Sequence, residues 1–73
     1  MMTNEHESKR DFVTNELSAC MRATDYGVMW LDYEVVAYDE IVTIHYKGGG
    51  KRRVFVTGDS KMAIIADVMK VIW

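Results

Sequence analysis

Three consecutive glycines, Gly48-Gly49-Gly50, stand between two runs in which apolar and polar residues alternate, IVTIHYK before them and KRRVFVT after. Alternation with period two, closed by glycine, predicts a β-hairpin. Parity then assigns the faces. Val42, Ile44 and Tyr46 share one side of the first strand; Ile41, Thr43, His45 and Lys47 share the other. In the second strand Arg52, Val54 and Val56 oppose Arg53, Phe55 and Thr57. A three-residue glycine loop pairs Lys47 with Lys51, Tyr46 with Arg52, Ile44 with Val54 and Val42 with Val56, so the apolar faces coincide. A slip by a single residue would set Ile44 against Arg53 and turn one strand's apolar face to solvent.

The rest of the chain arranges itself around this hairpin. Residues 28–37 form a further alternating strand, with Leu31, Tyr33 and Val35 on one face. A tight turn at Tyr38-Asp39 pairs Val36 with Ile41, Tyr33 with Ile44 and Leu31 with Tyr46, which makes an antiparallel meander. Ahead of it, Phe12, Val13, Leu17, Cys20, Met21 and Thr24 recur at helical spacing. A helix starting near Asn4 or Ser8 is expected, with Gly27 as its stop. Gly58-Asp59-Ser60 then turns the chain into a second helix over residues 61–72. The expected fold is α+β, in the order α-β-β-β-α, with both helices on the face built from Leu31, Tyr33, Val35, Val42, Ile44, Tyr46, Val54 and Val56. Residues 1–6 read as a flexible end and residues 7–73 as a single domain.

A chain of 73 residues buries only about 60% of its unfolded surface, so its margin of stability is small. The second helix has two apolar stripes where a sheet needs one. Ile64, Val68, Val71 and Trp73 are therefore expected at a homodimer interface. The single cysteine, Cys20, cannot form an internal disulfide and is expected in the core. No apolar run is long enough for a membrane span, and the polar start does not resemble a secretory leader. A cytoplasmic protein with no membrane partner is the expectation.

No set of residues points to catalysis, to a metal or to a cofactor. Gly48-Gly49-Gly50-Lys51 lacks the spacing of a phosphate-binding loop and leads into a strand. His6 with Glu5 and Glu7 has the wrong count and spacing for zinc. Asp32, His45 and Arg53 should lie side by side across the strands, but no nucleophile shares their face, and a cross-strand charge pairing is the plainer reading. Two surfaces remain. Lys47, Lys51, Arg52 and Arg53 put four positive charges at the hairpin tip; with a net charge of −2 the remainder of the chain carries −6. That tip is the candidate nucleic-acid surface. On the sheet face away from the helices, Trp30, Ile41 and Phe55 form an apolar patch beside His45, Asp32 and Glu34, the character of a protein-binding site.

The α-β-β-β-α order resembles that of double-stranded RNA-binding domains, and Ser60-Lys61-Met62-Ala63 stands where those domains begin a lysine-rich helix. The basic cluster is absent here, because Ile64 and Ile65 follow. From Tyr38 to Ile72 the chain is similar to short, mostly uncharacterised proteins of bacterial phages and mobile elements. The resemblance is carried by Tyr46-x-x-Gly, Arg53-Val54-x-Val56-Thr57-x-Asp59-Ser60, Ala63-Ile64 and Asp67-Val68. Some anti-CRISPR inhibitors resemble it in size, acidity and element order. The motifs imply no activity; with no convergent acid, base and nucleophile, a non-enzymatic module is expected, an accessory or inhibitor acting through contacts with an unidentified protein partner. Nucleic-acid binding through the basic tip is the alternative.

Overall fold

The structure, a computed structural model, describes residues 4–72. It has the expected order: a helical segment, a three-stranded antiparallel sheet in the order β1-β2-β3, and a closing helix. The fold is α+β. The first segment comprises α1 (Asn4–Asp11), a π-helical stretch (Phe12–Leu17) and α2 (Ser18–Arg22). Glu5 and Glu7 lie in the first turn of α1 and Lys9 and Arg10 in its last, which suits the helix dipole. The stretch expected to be flexible, residues 1–6, is helical from Asn4 onward; residues 1–3 lie outside the described part.

The π-helical turn decides what this segment buries. Its wider winding advances the inward face by one residue, so Val13, Leu17, Ser18 and Met21 are buried. Cys20, expected on that stripe, is exposed. Ser18 is fully buried and satisfied. Its hydroxyl lies 2.9 Å from the Val13 carbonyl, five residues back, and 3.2 Å from the Leu31 carbonyl, and it accepts the Leu31 N–H at 2.8 Å. The helix is thereby fastened to the outer edge of the first strand.

The strands are β1 (Val28–Val36), β2 (Asp39–Tyr46) and β3 (Lys51–Phe55). Every face assignment made by parity is found, but both hairpins are displaced from the expected register by two residues. Ile44 pairs with Arg52 and Val42 with Val54; on the other side Leu31 pairs with Ile44 and Tyr33 with Val42. The reason lies in the loops. Tyr46 N–H bonds the Gly50 carbonyl at 2.9 Å, so the three-residue loop is Lys47-Gly48-Gly49 and Gly50 already belongs to the ladder. Only the last loop position needs a positive φ, and Gly49 supplies it at 96°. The first hairpin closes through Ala37-Tyr38, with Ala37 at φ 56°. A bulge at Met29 lets Val28 join the buried face while Trp30 faces the other way.

The closing helix, α3 (Lys61–Ile72), lies with the first helix on the face of Leu31, Tyr33, Val42, Ile44 and Val54. Ile64 and Val68 are fully buried there. They were expected at a dimer interface and instead fill the space between helix and sheet. Val71 is half-buried against the same core, and Trp73 lies outside the described residues. Asp67 is buried in the middle of this apolar helix and accepts the Thr57 N–H at 2.9 Å and its hydroxyl at 3.0 Å. That contact fixes how the chain leaves β3.

Gly58 is required by the same turn. A Cβ at this position would sit 2.4 Å from the Cβ of Ala63, an atom bound directly to helix backbone. Gly58→Ala is expected to lower unfolding free energy by about 1–3 kcal/mol through this overlap. In a double-mutant cycle with Ala63→Gly, measured by urea unfolding, the two changes should compensate in part. Additive losses would show that the turn relaxes by another route.

Candidate interaction surface

The sheet face away from the helices carries three cross-strand rows. Trp30, His45 and Lys51 form the first; Asp32, Thr43 and Arg53 the second; Glu34, Ile41 and Phe55 the third. The two-residue displacement therefore replaces the expected Asp32–His45–Arg53 row. His45 instead stacks on Trp30, with ring centroids 4.1 Å apart and planes within 2°. The Asp32 carboxylate accepts the Tyr33 N–H at 2.9 Å.

The expected apolar patch is divided. Trp30 and Phe55 lie on opposite outer strands and two rows apart, with the polar Asp32–Thr43–Arg53 row between them. Arg53 reaches diagonally across β2 to Glu34 at 3.5 Å. Ile41 is only 3% exposed, screened by the side chains around it. Phe55 is 60% exposed and Trp30 37%. The surface thus offers one projecting phenylalanine, one stacked aromatic pair and an ion pair worth little by itself.

The basic tip is divided as well. Arg52 belongs to the helix side of the sheet and donates to the Val71 carbonyl at 3.2 Å, in the last turn of α3, where a cation is favoured. Arg53 faces the other way and pairs with Glu34. Lys47 and Lys51 are exposed and make no ion pair among the described residues. The four cations expected to act together are distributed over two faces and a loop.

An ionic cluster around a buried lysine escaped the sequence reading. Lys9 is 7% exposed, with its ammonium 2.9 Å from Glu40 and 3.3 Å from Asp59. The Tyr33 hydroxyl donates to the same Glu40 oxygen that Lys9 holds. Burial raises the Glu40 carboxyl, but hydrogen bonds from Tyr33 and Lys9 outweigh it and hold the group below its ordinary 4.5. Burial lowers Lys9, and its bonds to Glu40 and Asp59 more than reverse this, leaving it above 10.5. Burial and the bond to Glu40 push Tyr33 well above its ordinary 10.0. The signal was available: Lys9 stands one helical turn before Val13, and Glu40 has the parity of Val42 and Ile44. Every member has a partner inside the fold, so the cluster joins helix, sheet and the β3–α3 turn rather than presenting a reactive group.

A cleft of about 480 Å³ runs between the first helical segment and the start of α3, lined by Glu7, Asp11, Phe12, Asn15, Glu16 and Lys61 among others. The Lys61 ammonium lies 5.2 Å from the centre of the Phe12 ring, a cation–π contact closing one wall. Among the described residues, no group of three or more His, Cys, Asp or Glu side chains could hold a metal ion. No helix among them is long and apolar enough to cross a membrane. No family model, curated protein or solved structure matches this chain.

Proposed function

We propose that the chain is a small binding module without catalytic activity, engaging another protein through the face of its sheet that the helices leave open. The exposure of Phe55, 60% on a strand whose neighbouring Val54 is buried beneath the helices, carries this reading. An aromatic side chain held out on a rigid sheet is the kind of anchor on which protein interfaces concentrate their energy. A role as an accessory or inhibitor of a phage or mobile element rests on the sequence resemblance from Tyr38 to Ile72. The nucleic-acid reading is weakened because Arg52 lies on the helix side, bonded to the Val71 carbonyl, while Arg53 faces the other way, so the four cations form no single patch.

The test compares the wild-type chain with Phe55→Ser and Trp30→Ala as baits in host lysate, with Met62→Ser as a control at an exposed helix position. A protein retained by wild type and the control but lost with both face variants is the expected result. Phe55→Ser should cost about 1 kcal/mol of stability or less, well below the ~3–5 of a core aromatic. Capture indifferent to Phe55 and Trp30 would discard the surface, and retention of duplex DNA or RNA at ~50 mM salt, lost at higher salt, would favour the alternative.

A further inference from the structure

The two edges of the sheet are finished differently. Along β1 two of the outward N–H groups are capped: Ser18 Oγ takes the Leu31 N–H at 2.8 Å, and Asp32 Oδ1 takes the Tyr33 N–H at 2.9 Å. Beyond β3, Asp67 Oδ2 takes the Thr57 N–H at 2.9 Å. Within β3 the pattern follows from the ladder. Tyr46 N–H bonds the Gly50 carbonyl and Val56 N–H the Glu40 carbonyl, each at 2.9 Å. Bonded and non-bonded pairs alternate in an antiparallel ladder. Ile44–Arg52 and Val42–Val54 are therefore bonded pairs, and His45–Lys51, Thr43–Arg53 and Ile41–Phe55 are not. The N–H and C=O groups of Lys51, Arg53 and Phe55 point away from the sheet. Among the described residues nothing caps them, and all three side chains are exposed.

Such an edge is a template for another strand. A second copy of this chain fits it poorly. The antiparallel register that uses all of β3 sets Arg53 against itself, and like charges directly opposite repel. The charges suit a different occupant. We propose that an extended segment of a partner protein adds to β3 as a fourth strand, with acidic residues beside Lys51 and Arg53 and an apolar residue beside Phe55. The proposal rests on the open-face reading above and names the chemistry of the partner: a short acidic-apolar strand. Main-chain bonds to the three outward residues hold the segment, Lys51 and Arg53 select its charge, and Phe55 covers its apolar end.

Amide hydrogen exchange followed by NMR tests this residue by residue. In the free protein, Arg52 and Val54 should exchange slowly, and Lys51, Arg53 and Phe55 fast. The probe is the synthetic peptide acetyl-Thr-Val-Ile-Glu-Thr-Glu-Thr-amide, which in antiparallel alignment sets valine beside Phe55 and glutamates beside Arg53 and Lys51. At saturation, exchange at Lys51, Arg53 and Phe55 should slow by at least about tenfold, with Arg52 and Val54 unchanged. Arg53→Glu should weaken the peptide by about tenfold or more and favour its lysine-for-glutamate counterpart. Three results would overturn the proposal. One is no protection of those amides at ~1 mM peptide, a concentration that detects affinities as weak as about −4 kcal/mol. Another is equal binding of the acidic and basic peptides. The third is protection in the peptide-free protein that grows with its concentration, which would give the edge to a second copy. Phe55-dependent capture of a partner with these amides still unprotected would discard the edge and leave the open-face reading standing; loss of both would discard both.

Discussion

Val68→Glu is expected to unfold the protein. Val68 is fully buried between α3 and the sheet, beside Ile64, which is equally buried. A carboxylate there is taken out of water among apolar side chains, and the buried Lys9 is already held by Glu40 and Asp59. Burying an unpaired charge is among the few single changes that cost more than about 4 kcal/mol. A domain of 73 residues has roughly 4–11 kcal/mol in total, at ~0.05–0.15 per residue, so the variant should show no cooperative thermal transition. Met62→Glu on the same helix, at a position 72% exposed, should change stability by about 0.5 kcal/mol or less. A Val68→Glu chain that stays folded and merely loses an oligomer would mean that this stripe faces a neighbour rather than the sheet.

The second large effect is expected at Lys9. Lys9→Met removes the cation from a half-buried carboxylate and leaves Glu40 with the Tyr33 hydroxyl. A loss of about 2–4 kcal/mol at neutral pH follows, because breaking one side of a buried pair strands the other charge. Lys9→Met combined with Glu40→Gln should lose less than the sum of the single changes, since no charge is then stranded. The pH dependence has two limbs. Glu40 is held below its ordinary 4.5 in the fold. Its contribution is therefore present above that value and disappears as the pH falls through the folded value. Lys9 is held above 10.5 and Tyr33 above 10.0. Their contributions are complete below those values and disappear as the pH rises beyond them. Urea unfolding between pH 2 and 12 should show both limbs, each beginning at the ordinary pKa of its group and running toward the shifted value. The acid limb should be shallower in Glu40→Gln, and the alkaline limb shallower in Lys9→Met. A Lys9→Met variant as stable as wild type would show that the cluster is solvated and idle.

Much of the sheet could be read from residue order, and the candidate surface only partly. Alternation placed Leu31, Tyr33, Val42, Ile44 and Val54 together on the covered face, where they are found. It also placed Trp30, His45, Arg53 and Phe55 on the other. It did not fix how far the strands slide along one another, because a displacement by two residues leaves every side chain on its own face. That displacement reassigned every neighbour across the open face: His45 met Trp30 instead of Asp32, and Arg53 reached Glu34. The first helix misled for a different reason. Periodicity assumes 3.6 residues per turn, and the π-helical stretch of Phe12–Leu17 breaks that count, exposing Cys20 and burying Ser18.

The sequence by itself determined the order of elements, the presence of the hairpin, and the division of each strand into two faces. These follow from chirality, from pleating and from which positions tolerate a positive φ, all local properties of the chain. Only the tertiary structure decided the register, the fate of the second apolar stripe of α3, and the pairing of Lys9 with Glu40 across 31 residues of chain. It also decided that Ser18 and Asp32 cap the Leu31 and Tyr33 N–H groups at the β1 edge, while among the described residues nothing caps the outward groups of Lys51, Arg53 and Phe55. Those outcomes depend on which surfaces meet when the helices dock, and on the requirement that each polar group buried in doing so find a partner. Local pattern shows where a polar group lies along the chain; the packed fold supplies the partner.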